Sequence, residues 1–101
     1  MVPRTLDIKG HKFAIRQSKK KDLLSDCVGD CDPDKNLIQV YNRLPPSRKL
    51  EVLLHEVLHA MLGSHNITQE EEVCTLLGEY LVQFIRYNPD FIRHALKTLS
   101  Q

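Results

Sequence analysis

Apolar residues recur along this chain first with a period near two and then with a period near 3.6, and the change falls at Pro45-Pro46. Before that point, residues 6–8 and 12–16 alternate apolar and polar side chains on either side of Gly10-His11, which predicts a β-hairpin. Residues 18–34 are polar, with Gly29, Pro33 and many aspartates, and read as a loop with a short turn over residues 22–25. Leu37-Ile-Gln-Val-Tyr41 is rich in strand formers and is bounded by turn residues on both sides, so it reads as a strand. After Pro45-Pro46 the leucine-rich run to Leu62 has no interior Gly or Pro, and it predicts a helix opened by Pro46 or Ser47 and closed by Gly63. Thr68-Gln-Glu-Glu71 has the form of a capping box and predicts a second helix over residues 68–87. Asn88-Pro89-Asp90 breaks it and restarts a third, short helix through Leu99, with Asn88 as its N-cap. Strands first and helices after predict one α+β domain over residues 1–101. Its small three-stranded antiparallel sheet, the hairpin plus an edge strand at Leu37–Tyr41, packs on two long helices and a short C-terminal helix.

Composition narrows the class without naming a task. At 101 residues, 42% hydrophobic and a net charge of +1, the chain supports one modest core. No apolar run approaches the roughly 20 residues that cross a bilayer, and the first residues lack the apolar stretch of a secretory signal. A cytoplasmic protein with no membrane association is expected. Lys19-Lys20-Lys21 lies in a basic first half, but as a solvated loop rather than a nucleic-acid surface, so no nucleic-acid partner is expected. Three cysteines argue against a disulfide framework. Cys27 and Cys31 lack enough nearby ligands for a zinc site of their own and read as small thiols. His11 and His94 read as surface residues.

The chemistry lies inside the first long helix, at His55-Glu56-Val57-Leu58-His59. Residues four apart share a helix face, so His55 and His59 can offer two imidazole nitrogens to one ion. Glu56 is turned about 100° from His55, which suits a base held beside a metal rather than a ligand of it. Zinc at such a pair lowers the pKa of coordinated water toward about 7, and a neighbouring carboxylate then serves as general base for peptide hydrolysis. Val57, Leu58, Ala60, Met61 and Leu62 surround these residues with apolar side chains, and burying imidazole and carboxylate without partners is costly.

Catalytic zinc takes a third protein ligand. His65 occupies the third-histidine place of the H-E-x-x-H-x-x-G-x-x-H pattern, but Leu62 stands where that pattern needs Gly. The alternative is a glutamate at the start of the second helix: Glu70, Glu71 or Glu72. The helical neighbours of Glu71 are Cys74, Thr75 and Gly78, all small, so this face can approach the metal helix closely; Glu71 is favoured. The capping box gives Glu71 a metal-free alternative role at its N3 position.

Gly29-Asp-Cys-Asp-Pro-Asp34, a strand, Leu44-Pro-Pro-Ser-Arg48, Leu53-Leu-His-Glu-Val-Leu-His-Ala60, Glu70-Glu-Glu-Val73 and Arg86-Tyr-Asn-Pro-Asp90 together resemble small phage and prophage zinc metallopeptidases. They are similar to the ImmA/IrrE-type peptidases and the minigluzincins. In the ImmA/IrrE type the ligand glutamate is followed by Ala-Asn at the third and fourth positions, where this chain has Cys74 and Thr75. The resemblance implies a gluzincin arrangement, with His55, His59 and Glu71 as zinc ligands and Glu56 as general base. It also implies a cytoplasmic protein, host-cytoplasmic if phage-encoded.

The expected function is therefore zinc-dependent hydrolysis of a protein or peptide substrate by a monomer or weak oligomer. The alternative is a metal-binding module that acts by binding a protein, although such a module has no use for Glu56. Leu37–Tyr41 is the candidate edge for pairing with extended substrate. His65, Tyr41 and Tyr80 are candidate oxyanion stabilisers. Tyr80 also fits a core face with Val73, Leu77 and Phe84. A thiolate or carboxylate of the polar loop, such as Cys27 or Cys31, is a candidate blocking ligand for the zinc.

Overall fold

The structure, a computed structural model, describes residues 2–23 and 27–101. Strands β1 (Thr5–Ile8) and β2 (His11–Ser18) form the predicted hairpin, with Leu6 opposite Phe13 and Ile8 opposite His11. The turn is Lys9-Gly10, one residue earlier than expected. Both residues have positive φ, 54° and 83°, the conformation that two-residue hairpin turns demand and that glycine adopts without a Cβ clash. A 3-10 turn at Lys20–Asp22 follows. The rest of the turn predicted over residues 22–25 falls outside the described residues.

The sheet corrects the predicted one. It has four strands rather than three and is mixed rather than antiparallel. Strand β3 (Gly29–Asp32) lies within the segment read as loop, and β4 is Leu37–Tyr41. The order is β1-β2-β4-β3. β4 runs parallel to β2, with Ile15 opposite Ile38, and antiparallel to β3, with Cys31 opposite Ile38. The tight turn between β3 and β4 explains the reversal. Asp32 Oδ1 accepts hydrogen bonds from the backbone N–H groups of Asp34 and Lys35, and Asn36 takes a left-handed φ of 49°. Leu37–Tyr41 is consequently a central strand, not an edge. Ile38 and Val40 are fully buried, so the segment with the strongest strand formers takes the position with two paired sides.

Helix α1 (Pro46–Leu62) crosses one face of the sheet. Val52 and Leu53 join Ile8, Phe13, Ile38 and Val40 in the core, with Val57 and Ala60 at its margin. A 3-10 turn at Gly63–His65 continues α1, and it is Asn66, at φ 53°, that provides the left-handed exit. Helix α2 (Glu70–Tyr87) begins two residues later than expected. Gln69 stands at its N-cap with φ 59° and no side-chain cap bond, so the predicted capping box does not form. The face of α2 that packs on α1 carries Cys74, Gly78 and Val82. This corrects the placement of Tyr80, Leu77 and Phe84 in the core: all three are exposed. The apolar surface of α2 is broader than α1 can cover. Helix α3 (Pro89–Leu99) follows Asn88, whose side chain makes no N-cap bond and instead donates Nδ2–H to the Phe84 carbonyl at 2.9 Å. No helix is long and apolar enough to cross a membrane among the described residues.

Candidate metal centre

Two faces of α1 meet at the motif. Val52, Leu53 and Glu56 lie on the buried, sheet-facing stripe. His55 and His59, one turn apart, lie beside it and face α2. Helix α2 comes close because its contact residues are small. A Cβ added at Gly78 would stand 3.5 Å from the Glu51 carbonyl oxygen and 3.6 Å from the His55 backbone nitrogen. That close crossing brings the first turn of α2 over the histidine pair.

Three side chains converge there. His55 Nε2 and His59 Nε2 are 3.1 Å apart. The Glu71 carboxylate spans them, with Oε1 2.9 Å from His55 Nε2 and Oε2 2.6 Å from His59 Nε2. Zinc–ligand distances near 2 Å at tetrahedral angles separate donor atoms by about 3.3 Å. The donor set, two imidazoles and a carboxylate, and its spacing therefore fit a zinc ion with only small outward adjustment. Glu71 is 72% exposed while the two histidines are largely covered, so the cluster opens toward solvent on the Glu71 side.

Glu70 has a different partner. Its Oε2 lies 2.6 Å from His59 Nδ1, on the opposite side of the ring from Glu71. A carboxylate on the second ring nitrogen fixes the orientation and tautomer of a metal-binding histidine and raises its basicity. Burial works to lower the His59 pKa, but the hydrogen bonds to Glu70 and Glu71 outweigh it and hold the imidazole above its ordinary value. Glu72 is exposed. His65 lies exposed in the 3-10 turn and belongs to no donor cluster among the described residues.

Glu56 is only 8% exposed. Its carboxylate lies within 4.8 Å of the donor nitrogens of His55 and His59, but it makes neither of the short contacts that Glu71 makes. Those three residues form one possible ligand set, and His59, Glu70 and Cys74 form another. The Glu71 oxygens lie nearer, at 2.9 Å from His55 Nε2 and 2.6 Å from His59 Nε2. Burial pushes the Glu56 carboxyl up to about 7, against the lowering effect of His59 and with the help of Glu71 and Asp30.

Strand β3 supplies the roof. It is the last strand of the sheet, so its outer edge has no strand partner among the described residues. Gly29, Asp30 and Cys31 line a cavity of about 370 Å³ together with His55, Glu56, His59, Glu70 and Glu71. A second cavity of about 280 Å³, on the Arg48 side, shares Gly29, His55, Glu56 and Glu71. Gly29 touches the site itself. A Cβ there would fall 2.5 Å from Val52 Cγ1 and 3.0 Å from Glu56 Oε2. Gly29→Ala should accordingly cost about 1–3 kcal/mol through overpacking, read as a lower urea midpoint. An unchanged midpoint would mean that β3 stands off α1.

The remaining predicted site residues are spread out. Tyr80 stands on the outer side of α2, away from the Cys74 and Gly78 face. Tyr41 ends β4, with the Lys20 Nζ 5.7 Å from its ring centre. His11 and His94 are exposed, as expected. Cys27 and Cys31 are half-buried free thiols beside the site and Cys74 is buried. Burial, then the Glu56, Asp30, Asp32 and Glu70 carboxylates, push the Cys31 thiol up to about 11, and a neutral thiol is a poor nucleophile and ligand. Two contributors escaped sequence reasoning. Gly29 sits in a segment with no strand signal. Arg48, paired with Glu51, brings a cation to the lining beside His55, and only its place one turn or two before the motif pointed to it.

Comparisons with protein-family models, with curated proteins and with solved structures find no match for this chain.

Proposed function

We propose that this chain is a zinc-dependent peptidase with a gluzincin arrangement, in which His55, His59 and Glu71 hold one zinc ion and Glu56 is the general base. The observation that carries the proposal is the convergence of His55 Nε2, His59 Nε2 and the Glu71 carboxylate at 2.6–3.1 Å. The resemblance to ImmA/IrrE-type peptidases and minigluzincins points the same way. Zinc bound to such a set supplies Lewis-acid polarisation of a carbonyl and a water of pKa near 7.

The chain's own residues do the rest. Glu56 lies on the sheet side of the histidine pair, next to the β3 roof, and faces both cavities. Its carboxylate takes a proton from the attacking water as the carbon–oxygen bond forms. It passes that proton to the amine nitrogen as the carbon–nitrogen bond breaks. Glu70 keeps His59 turned toward Glu71 throughout. Extended substrate pairs with the free edge of β3 through backbone hydrogen bonds, replacing Leu37–Tyr41 in that role. Asp30 and Asp32 on so short an edge disfavour pairing between copies of the chain, and their charge favours a basic or neutral segment of substrate.

The test is metal analysis of purified protein with hydrolysis of a panel of unfolded proteins. One zinc per chain is expected, with cleavage abolished by chelation and restored by zinc. Zinc without cleavage of any substrate would favour the metal-binding interaction module. Absence of zinc would remove both readings.

A further inference from the structure

The groove between α1 and α2 continues past the metal centre into the cavity of about 280 Å³ on the Arg48 side. Two helical stripes wall it. Arg48, Glu51 and His55 follow one another at i, i+3 and i+7 on α1, and Glu71, Thr75 and Glu79 at i, i+4 and i+8 on α2. Each stripe has a proposed zinc ligand at one end. Glu79 stands eight residues, about 12 Å of helix, beyond Glu71. Val28 and Val52 give the same cavity apolar surface. Glu56, 8% exposed and without a hydrogen-bond partner among the described residues, ends in it too. The space is therefore continuous with the reacting centre.

The charges of the wall do not cancel. Arg48 is paired with Glu51, and Glu71 is held by the two histidines. Glu79 forms no ion pair among the described residues. Arg86, seven residues on along α2, lines only the neighbouring cavity. One carboxylate thus stands unneutralised in a cavity that also offers apolar surface. A long basic side chain matches both, because its stem lies along apolar atoms while its head seeks a carboxylate. An extended substrate advances about 3.3 Å per residue, so a long side chain one or two residues from the metal reaches Glu79 and a short one does not. We propose that this cavity is a substrate side-chain subsite for lysine or arginine, with Glu79 as its specificity-determining residue. This rests on the peptidase reading and adds to it the class of residue preferred beside the cleaved bond. An acidic side chain there meets the Glu79 charge, and a small neutral one leaves it unpaired.

The test moves a single lysine through each position of a neutral peptide, with norleucine and glutamate as parallel series, against the zinc-loaded full chain. Lysine one or two residues from the cleaved bond should raise kcat/KM about 10-fold over norleucine, and high salt should shrink that gap. Glu79→Gln should abolish the gap, and Glu79→Lys should turn it into a preference for glutamate. Arg48→Ala releases the Glu51 carboxylate into the cavity and should widen the gap instead. Zinc content and helical circular dichroism should stay unchanged in all three variants, because Arg48 and Glu79 are exposed. Binding of the same peptides to Glu56→Gln, read by fluorescence anisotropy, gives the preference without turnover. A chain that cleaves nothing yet binds the lysine peptides more tightly through Glu79 would support the subsite and sink the peptidase reading. Equal treatment of lysine and norleucine, binding of neither included, overturns the proposal. A lysine preference untouched by Glu79→Gln overturns it as well.

Discussion

Replacing Glu56 with glutamine should lower peptide hydrolysis by about 10²–10⁴-fold and leave the zinc content unchanged. Gln keeps the size and polarity of the side chain but cannot accept a proton. The zinc should stay because Glu56 makes none of the 2.6–2.9 Å contacts that tie Glu71 to the histidines. Loss of zinc in the variant would mean that Glu56 is a ligand. Full activity would remove the mechanism.

The same substitution has a second effect that needs no activity at all. In the metal-free protein, burial raises the Glu56 carboxyl from 4.5 to about 7. Between those values the folded chain binds a proton that the unfolded chain has released. Stability therefore falls as pH rises from 4.5 to 7, and the full cost, about 3 kcal/mol at most, applies above 7. Glu56→Gln removes it. The metal-free variant should be more stable than the metal-free parent in urea at pH 8, and the gap should close by pH 4.5. A gap of equal size at both pH values would show that burial of charge is not its origin.

How far the sequence carried differs from part to part, for physical reasons. The i, i+4 spacing of His55 and His59 belongs to any helix, so the meeting of their nitrogens was legible from five residues. The small face of Cys74 and Gly78 likewise foretold the close crossing of α1 and α2. Strand β3 was not legible, because Gly29-Asp-Cys-Asp32 has almost no intrinsic preference for strand; it is held there by β4 on one side and by α1 beneath. The parallel pairing of β2 with β4 was hidden for a related reason. Without β3 to reverse the chain, an antiparallel return was the simplest path. Thr68 misled because a capping box is read from four residue types, while Asn66 and Gln69 both take left-handed backbone and begin the helix only at Glu70. The tenancy of α2's apolar face was beyond periodicity, which marks apolar stripes but not which part of a wide one is covered. Glu70 was weighed only as a rival to Glu71. That both reach His59, one at each ring nitrogen, depends on the crossing of two helices and not on the phase of one.

That last point orders the expected effects of the ligand substitutions. His59→Ala removes one donor and the residue that both glutamates hold, so purified protein should retain almost no zinc. Glu71→Gln removes the bridging carboxylate and should come next. Glu70→Gln keeps a hydrogen-bond acceptor at Nδ1 but loses the charge behind the ring, and it should weaken zinc by about 10–100-fold. His65→Ala should change nothing, as the side chain stands outside the cluster. The proton dependence sharpens the distinction between the two glutamates. With the His59 pKa held above its ordinary value, a proton competes with the metal for its Nε2, so zinc affinity should fall as pH drops through that raised pKa. Taking away the Glu70 charge eases the competition, and Glu70→Gln should shift the fall to lower pH even as it weakens binding at high pH. A residue that only shaped the helix start would lower affinity without moving the pH of the fall. If instead His65→Ala abolished binding while Glu71→Gln did not, the third ligand would be the histidine after α1, and the arrangement would be metzincin-like.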